Sequence, residues 1–244
     1  MRYAVLGDLH ANLTALEAVV SALGSEDVDA LLSVGDVVGY GAAPREVIGL
    51  LREVGATVVK GNHDAAVTGE LDTRWFNPFA RAAVDWTRET LTGEDLAWLE
   101  ALPLVAHLEH CAVAHGTPAQ PERFDYVQST EDADPSLDDL AEQVCFVGHT
   151  HVPVTILRLR EAPGRTSYTI DRHVDLSEAS VALVNVGSVG QPRDEDPRAA
   201  FGLYDSEQSS FELKRVEYDI DREAARIRAA GLPDPLAARL HLGV

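Results

Sequence analysis

The sequence predicts an α/β protein in which helices cover two β-sheets, and two observations carry that prediction. Residues 2–59 alternate strand and helix, β-α-β-α-β, the pattern of parallel strands joined by right-handed crossovers. After His151 strand follows strand with short turns between, the pattern of a second, largely antiparallel sheet. A chain of 244 residues, 45% hydrophobic, can bury a sizeable core. No repeat, low-complexity tract or linker divides it, so residues 1–244 read as one domain.

The elements follow in order. Arg2–Gly7 reads as a short buried strand. In "NLTALEAVVSAL" the residues Leu13, Leu16, Val19, Val20 and Leu23 fall at helical spacing, with Asn12 as N-cap and Gly24 as the stop. A strand at Ala30–Val34 leads into the glycine-rich "GDVVGYGAAP", Pro44 opens a helix to Val54, and Thr57–Val59 is a third strand. Leu71–Leu102 reads as helical, with Phe76, Phe79, Ala83 and Trp86 forming a core-facing stripe. Val105–Leu108 and Ala112–Ala114 make a hairpin around Glu109-His110. Gln120–Pro135 is polar and reads as an irregular loop, Ser136–Gln143 as a helix and Val144–Val147 as a strand. Strands are then expected at Val154–Leu159, Thr166–Asp175, Val181–Val186, Ala200–Tyr204 and Phe211–Tyr218, with helices at Arg222–Ala230 and Pro235–Leu240.

Composition excludes several classes. The formal net charge of −20 repels duplex nucleic acid and anionic membranes. No apolar run reaches the ~20 residues that span a bilayer, and "MRYAVLGDLH" meets Asp8 too soon for a signal peptide. A cytoplasmic location is the expectation. Two cysteines, Cys111 and Cys145, are too few for a disulfide framework and read as buried thiols. A homo-oligomer is left open. An anionic substrate would need a local cation to invert the field, and a bound divalent metal would supply it.

The polar residues at expected strand ends form a set. Asp8 and His10 follow the first strand in "GDLH", Asp36 the second in "GDVVGYG", and Asn62, His63 and Asp64 the third in "GNHD". His115 follows "CAVA", and His149 and His151 follow "CFV" in "FVGHTHVP". Ligands of open parallel sheets bind beyond the carboxyl ends of the strands, where all of these residues are expected. Carboxylate, amide and imidazole without thiolate suit borderline to hard divalent metals. Asp36 could bridge two metals, with His149 and His151 each facing one of them, a clamp suited to phosphoryl hydrolysis. Alone, "GNHD" could equally be a turn and Asp-x-His a coincidence; the weight lies in the ordered set. His107, His110, His173 and His241 fit no such pattern.

Taken together, Asp-x-His, Gly-Asp, Gly-Asn-His-Asp, a separate His and Gly-His-x-His resemble the motif series of the calcineurin-like metallophosphoesterases. "NVGSVGQPRD" (Asn185–Asp194) resembles the small bacterial branch of that family, so the likeness covers most of the chain. It implies a four-layer α/β/β/α sandwich of two mixed β-sheets flanked by helices. It implies two divalent metal ions (Mn, Fe, Zn or Ni), the first held by Asp8, His10, Asp36 and His151, the second by Asp36, Asn62, His115 and His149. His63 would stand free of both, near the leaving group. Two departures stand out. Ala11 replaces a glycine common after Asp-x-His, and Gly39 replaces the aspartate that orients the catalytic histidine in some phosphatases. His63 then depends on another partner, such as Asp64 or a carbonyl. The same stretch lacks the Asp-Arg-Gly of protein Ser/Thr phosphatases.

The expected reaction is hydrolysis of a phosphodiester or dinucleoside polyphosphate by a hydroxide bridging the metals, with His63 protonating the leaving oxygen. The alternatives are a phosphomonoesterase, or a catalytically weak metal-binding interaction module on the same fold. Arg193 is a candidate for gripping a substrate phosphate, against pairing with Asp194 or Asp196. Asn12 is a second candidate, against its role as helix cap. Residues 71–102, with Arg74, Arg81 and Arg88, form a helical insert expected to cap the site.

Overall fold

Strand β1 (Arg2–Leu6) turns Tyr3 and Val5 to one side and Ala4 and Leu6 to the other, so a single strand feeds two cores. The structure, a computed structural model, describes residues 1–244. The N-terminal half runs β1, α1 (Leu13–Leu23), β2 (Ala30–Ser33), α2 (Pro44–Glu53), β3 (Thr57–Val58), α3 (Asn62–Thr68), α4 (Pro78–Thr90), α5 (Gly93–Glu100), β4 (Val105–His107), β5 (Ala112–Ala114), α6 (Thr130–Asp139) and β6 (Val144–Val147). The remainder runs β7 (Val154–Leu159), β8 (Ala162–Thr169), β9 (His173–Asp175), β10 (Ala179–Asn185), β11 (Ala199–Asp205), β12 (Ser210–Val216), α7 (Ile220–Ala229) and α8 (Asp234–Ala238).

Two six-stranded mixed sheets result, ordered β3-β2-β1-β11-β12-β9 and β4-β5-β6-β10-β7-β8. Between them lie Tyr3, Val5, Leu32 and Val34 from one sheet and Val113, Val144, Phe146 and Val184 from the other. On the outer face of the first sheet, Ala4 and Leu6 pack under Leu16 and Val19 of α1 and Val47, Ile48 and Leu51 of α2. On the outer face of the second, Ala112, Cys145 and Leu183 pack under Ala133 and Leu137 of α6. This is the four-layer sandwich the resemblance implies.

The strands after His151 do not form a sheet of their own. β7, β8 and β10 complete the second sheet, whereas β9, β11 and β12 extend the first, β11 pairing antiparallel with β1. A β-α-β-α-β unit leaves one edge of β1 unpaired, and a returning strand satisfies it. The strand expected at Thr166–Asp175 divides accordingly: β8 belongs to one sheet and β9 to the other. Three helical expectations also change. Residues 71–102 break into a 3-10 turn at Thr73–Trp75, α4 capped by Asn77, and α5 opened by a Thr92/Asp95 capping box; Phe79 on the expected core stripe is 44% exposed. α6 starts inside the segment read as loop, where Ser129 caps it, and it carries Pro135; its acidic sequence buries only Ala133, Ser136 and Leu137, too short a stripe to read as a helix. "GNHD" opens helix α3 in place of a turn or extended end.

Candidate metal centre

The carboxyl ends of β1, β2, β3, β5 and β6 converge, and the residues following them meet in a buried cluster. Asp8, His10, Asp36 and His151 form one group of potential ligands, and Asp36, His115 and His149 a second; within each, the ligating atoms lie within 4.8 Å of one another. All are at most 5% exposed. Asp36 belongs to both groups: its Oδ2 stands 3.5 Å from Nε2 of His10 and 3.4 Å from Nε2 of His115. Asn62 joins the second group, with Oδ1 3.0 Å from Nε2 of His115.

The hydrogen bonds at the backs of the imidazoles show what the front faces require. Nδ1 of His10 donates to the carbonyl of Val38, Nδ1 of His115 to that of Val34, and Nδ1 of His151 to that of Gln191. A carbonyl only accepts, so each neutral ring carries its proton on Nδ1 and its lone pair on Nε2. Yet Nε2 of His10 and Nε2 of His151 face each other at 3.1 Å. His149 bonds to the carbonyl of Phe124 and turns Nδ1 toward Nε2 of His115 at 3.0 Å. Lone pairs thus converge on lone pairs and on carboxylates. Burial above all, with mutual repulsion, lowers the proton affinity of His10, His149 and His151, so protonation does not resolve the conflict. Asp8, pushed up to about 7 by burial, and Asp36, also raised by burial, have no lysine or arginine partner. Divalent cations would satisfy all of these groups together, and the back-side carbonyls hold the rings in the tautomer that a metal needs.

The backbone is shaped for this convergence. Asp8, His10, Asp36, His149 and His151 all have positive φ, a cost tolerated where the surroundings enforce it. His149 and His151 therefore do not point to one side as on an extended strand: they face different groups of the cluster.

Residues 1–209 match the profile of the calcineurin-like phosphoesterase superfamily domain. The chain belongs to that superfamily. It is 40% identical to a metallophosphoesterase from Sphaerobacter thermophilus, with a TM-score of 0.87 and all of both chains covered. It is 33% identical to an uncharacterized protein of Methanocaldococcus jannaschii, covering 98% of this chain and 97% of the relative. A hypothetical protein from Pyrococcus horikoshii OT3 shares the fold at 22% identity and a TM-score of 0.81, over 100% of this chain and 98% of that one. This calcineurin-like protein is accordingly a metal-dependent phosphoric ester hydrolase. No helix in it is long and apolar enough to cross a membrane.

His63 lies beside the cluster and outside both ligand groups. Its backbone N–H donates to Oδ1 of Asp36 at 2.8 Å, and its ring packs against His10, Tyr40 and Phe76 at centroid distances of 4.9, 4.4 and 5.1 Å. As the second residue of α3, its side chain diverges from that of Asn62 by about 100°. Asp64 does not orient it: both Asp64 oxygens are taken by the N–H groups of Val38 and Gly61. Nδ1 of His63 is buried without a partner.

Asn12 has no free polar atom to offer. Its Oδ1 accepts from Ala15 N and its Nδ2 donates to Gly190 O and the Tyr218 hydroxyl, so the structure gives it the helix-cap role instead of phosphate contact. Arg193 avoids both suggested partners, since Asp194 pairs with Arg215 and Asp196 with Arg198. It lies 5.7 Å over the Tyr40 ring, and its charge reaches His63 and Asp8. Arg74, Arg81 and Arg88 are engaged locally: Arg74 pairs with Asp72, Arg81 bonds to Phe76 O, and Arg88 bonds to the carbonyls of Ala66 and Val67. Sequence reasoning passed over Tyr126, which stacks on His149 at 3.8 Å, and Phe124; both sit in the segment read as loop, which carries no periodic signal.

Proposed function

We propose that the chain binds two divalent metals and hydrolyses a phosphodiester or dinucleoside polyphosphate. What supports a dinuclear site is the pair of ligand groups sharing Asp36. In this reading Asp8, His10, Asp36 and His151 hold one metal, and Asp36, Asn62, His115 and His149 the other. Bound there, the cations supply Lewis acidity and a water of lowered pKa.

The chain's own residues do the rest. Water attacks phosphorus in line, the P–O bond to the leaving group breaks, and the leaving oxygen takes a proton from His63. In the free site burial pushes the His63 pKa down to about 3, Arg193 and His115 adding to the effect. A phosphate anion seated there favours the imidazolium and opposes this shift. Arg193 faces the developing charge on the non-bridging oxygens.

A cavity of about 400 Å³ adjoins His63, lined among others by Tyr40, Trp75, Phe76, Phe124 and Tyr126. It supports an organic group on the leaving side, which a diester, a dinucleoside polyphosphate and an organic monoester all carry. It also supports a capping role for residues 71–102, whose first turn forms one wall. The acidic net charge disfavours duplex nucleic acid as a partner. The experiment is hydrolysis of bis(p-nitrophenyl) phosphate, p-nitrophenyl phosphate and diadenosine tetraphosphate by Mn-loaded protein. Preference for the first or third supports the reading; preference for the monoester overturns it.

A further inference from the structure

Most half-buried arginines in this acidic chain pair with carboxylates. Arg2, Arg158, Arg198, Arg215 and Arg226 each meet an Asp or Glu side chain, and Arg239 bonds to an oxygen of Val244. Forty acidic residues against twenty basic ones make such pairing easy. Arg193 is held differently. Its neighbours Asp194 and Asp196 are taken by Arg215 and Arg198, and its Nη2 donates to the neutral Oε1 of Gln191 at 2.9 Å. Its Nε is buried without a partner.

Gln191 is buried and pinned in place. Its backbone N–H donates to Oγ of Ser188 at 2.8 Å, and that hydroxyl donates to the carbonyl of Asp8 at 2.7 Å. Two residues on, Arg193 N–H donates to the carbonyl of His151 at 3.3 Å. From this position Gln191 serves two parts of the site. Its backbone carbonyl accepts from Nδ1 of His151 at 2.6 Å, while its side-chain amide oxygen accepts from the guanidinium.

The neutrality of that amide matters. A glutamate at 191 could hold Arg193 equally well, but its charge would offset the guanidinium's at contact distance. The amide occupies one donor group and leaves the net positive charge. That charge lies 5.7 Å over the Tyr40 ring and acts on Asp8 and His63. A half-buried charge without a counter-ion, with a donor unfilled, is costly until an anion joins it.

We propose that Gln191 is a positioning residue, whose side chain aims Arg193 at a phosphate oxygen of the substrate without neutralising it. The role rests on the phosphoesterase reading of the site and deepens it: the side chain at 191 sets how tightly phosphate is held. Substitution there leaves the backbone carbonyl, and with it the support of His151, so phosphate binding is separable from metal binding.

Inorganic phosphate titrated into metal-loaded protein by calorimetry tests this without turnover. Gln191→Glu pairs Arg193 with a carboxylate and is expected to weaken phosphate binding about tenfold or more, with metal content and thermal midpoint preserved. Gln191→Met, similar in size but without the acceptor, should weaken it about threefold or more. In an Arg193→Gln background Gln191→Met should add nothing, because its effect runs through the arginine. A merely structural glutamine predicts otherwise: Gln191→Glu, which keeps the hydrogen bond, would bind phosphate as tightly as wild type. That result would overturn the proposal, as would an undiminished Gln191→Met effect in the Arg193→Gln background or a wild-type protein that binds no phosphate. If Gln191→Glu does not fold, the Gln191→Met comparison in the two backgrounds decides alone. A loaded wild-type enzyme that hydrolyses no phosphate ester sinks the phosphoesterase reading instead, and the phosphate titration still decides the role of Gln191.

Discussion

Gly39 backs directly onto His63: a Cβ at position 39 would lie 2.4 Å from Nδ1 and 2.9 Å from Cγ of the imidazole. The residue also has φ +87°, where a side chain costs about 1–2 kcal/mol. The position that carries an orienting aspartate in some phosphatases is thus closed in this chain, because the ring itself occupies the space. Gly39→Asp should therefore displace His63 without supporting it. Turnover is expected to fall by about tenfold or more, comparable to a 1 Å misplacement of a catalytic group, with metal content unchanged. A variant as fast as wild type, measured under saturating metal, would show that the ring can be oriented from position 39.

Removing the imidazole is a separate test. His63→Ala should lower turnover roughly 10²–10⁴-fold, the usual worth of a positioned proton donor. The loss should be smaller for a nitrophenolate leaving group than for an alkoxide, because nitrophenolate needs little protonation. Equal losses for both, with metals retained, would assign His63 to positioning or electrostatics.

Asp36 stands between the two ligand groups, and its loss should affect both. Metal-loaded wild type is expected to approach two metals per chain in elemental analysis, and to gain thermal stability on loading because metal binds only the folded site. Asp36→Asn should lower both the stoichiometry and the gain in midpoint. His10→Ala should lose metal and activity together, whichever leaving group is used.

Asp64 is a structural counterpart to these. It is fully buried and accepts from Val38 N at 3.1 Å and Gly61 N at 2.9 Å, tying the loop after β2 to the start of α3. Asp64→Ala leaves two buried N–H groups without partners and should cost about 2–4 kcal/mol of unfolding free energy, read by urea denaturation of metal-free protein.

Trp75 is 91% exposed at the rim of the cavity beside His63. An aromatic leaving group would gain a stacking partner there, so Trp75→Ala should raise KM about three- to tenfold for aryl and nucleoside esters and leave alkyl esters little changed. Stability should not fall, since the indole buries almost nothing. A uniform effect on all esters would remove the wall from the specificity argument.

Much of this was legible in the sequence because it rests on local chemistry. Strand and helix periods, Asn12 as a cap and the order of polar residues after strands are properties of short segments. The ligand candidates also needed no contact map, since parallel strands place their carboxyl ends on one edge. Three things needed the tertiary structure. Which sheet receives β9, β11 and β12 depends on the open edge of β1, a partner more than a hundred residues away. The directions of His149 and His151 depend on left-handed backbone that only the packed loop enforces. The isolation of Arg193 depends on Asp194 and Asp196 being held by Arg215 and Arg198. Sequence spacing reports what one segment can present. Only the packed chain decides which charges are left without partners, because that depends on every other segment's choice of partner.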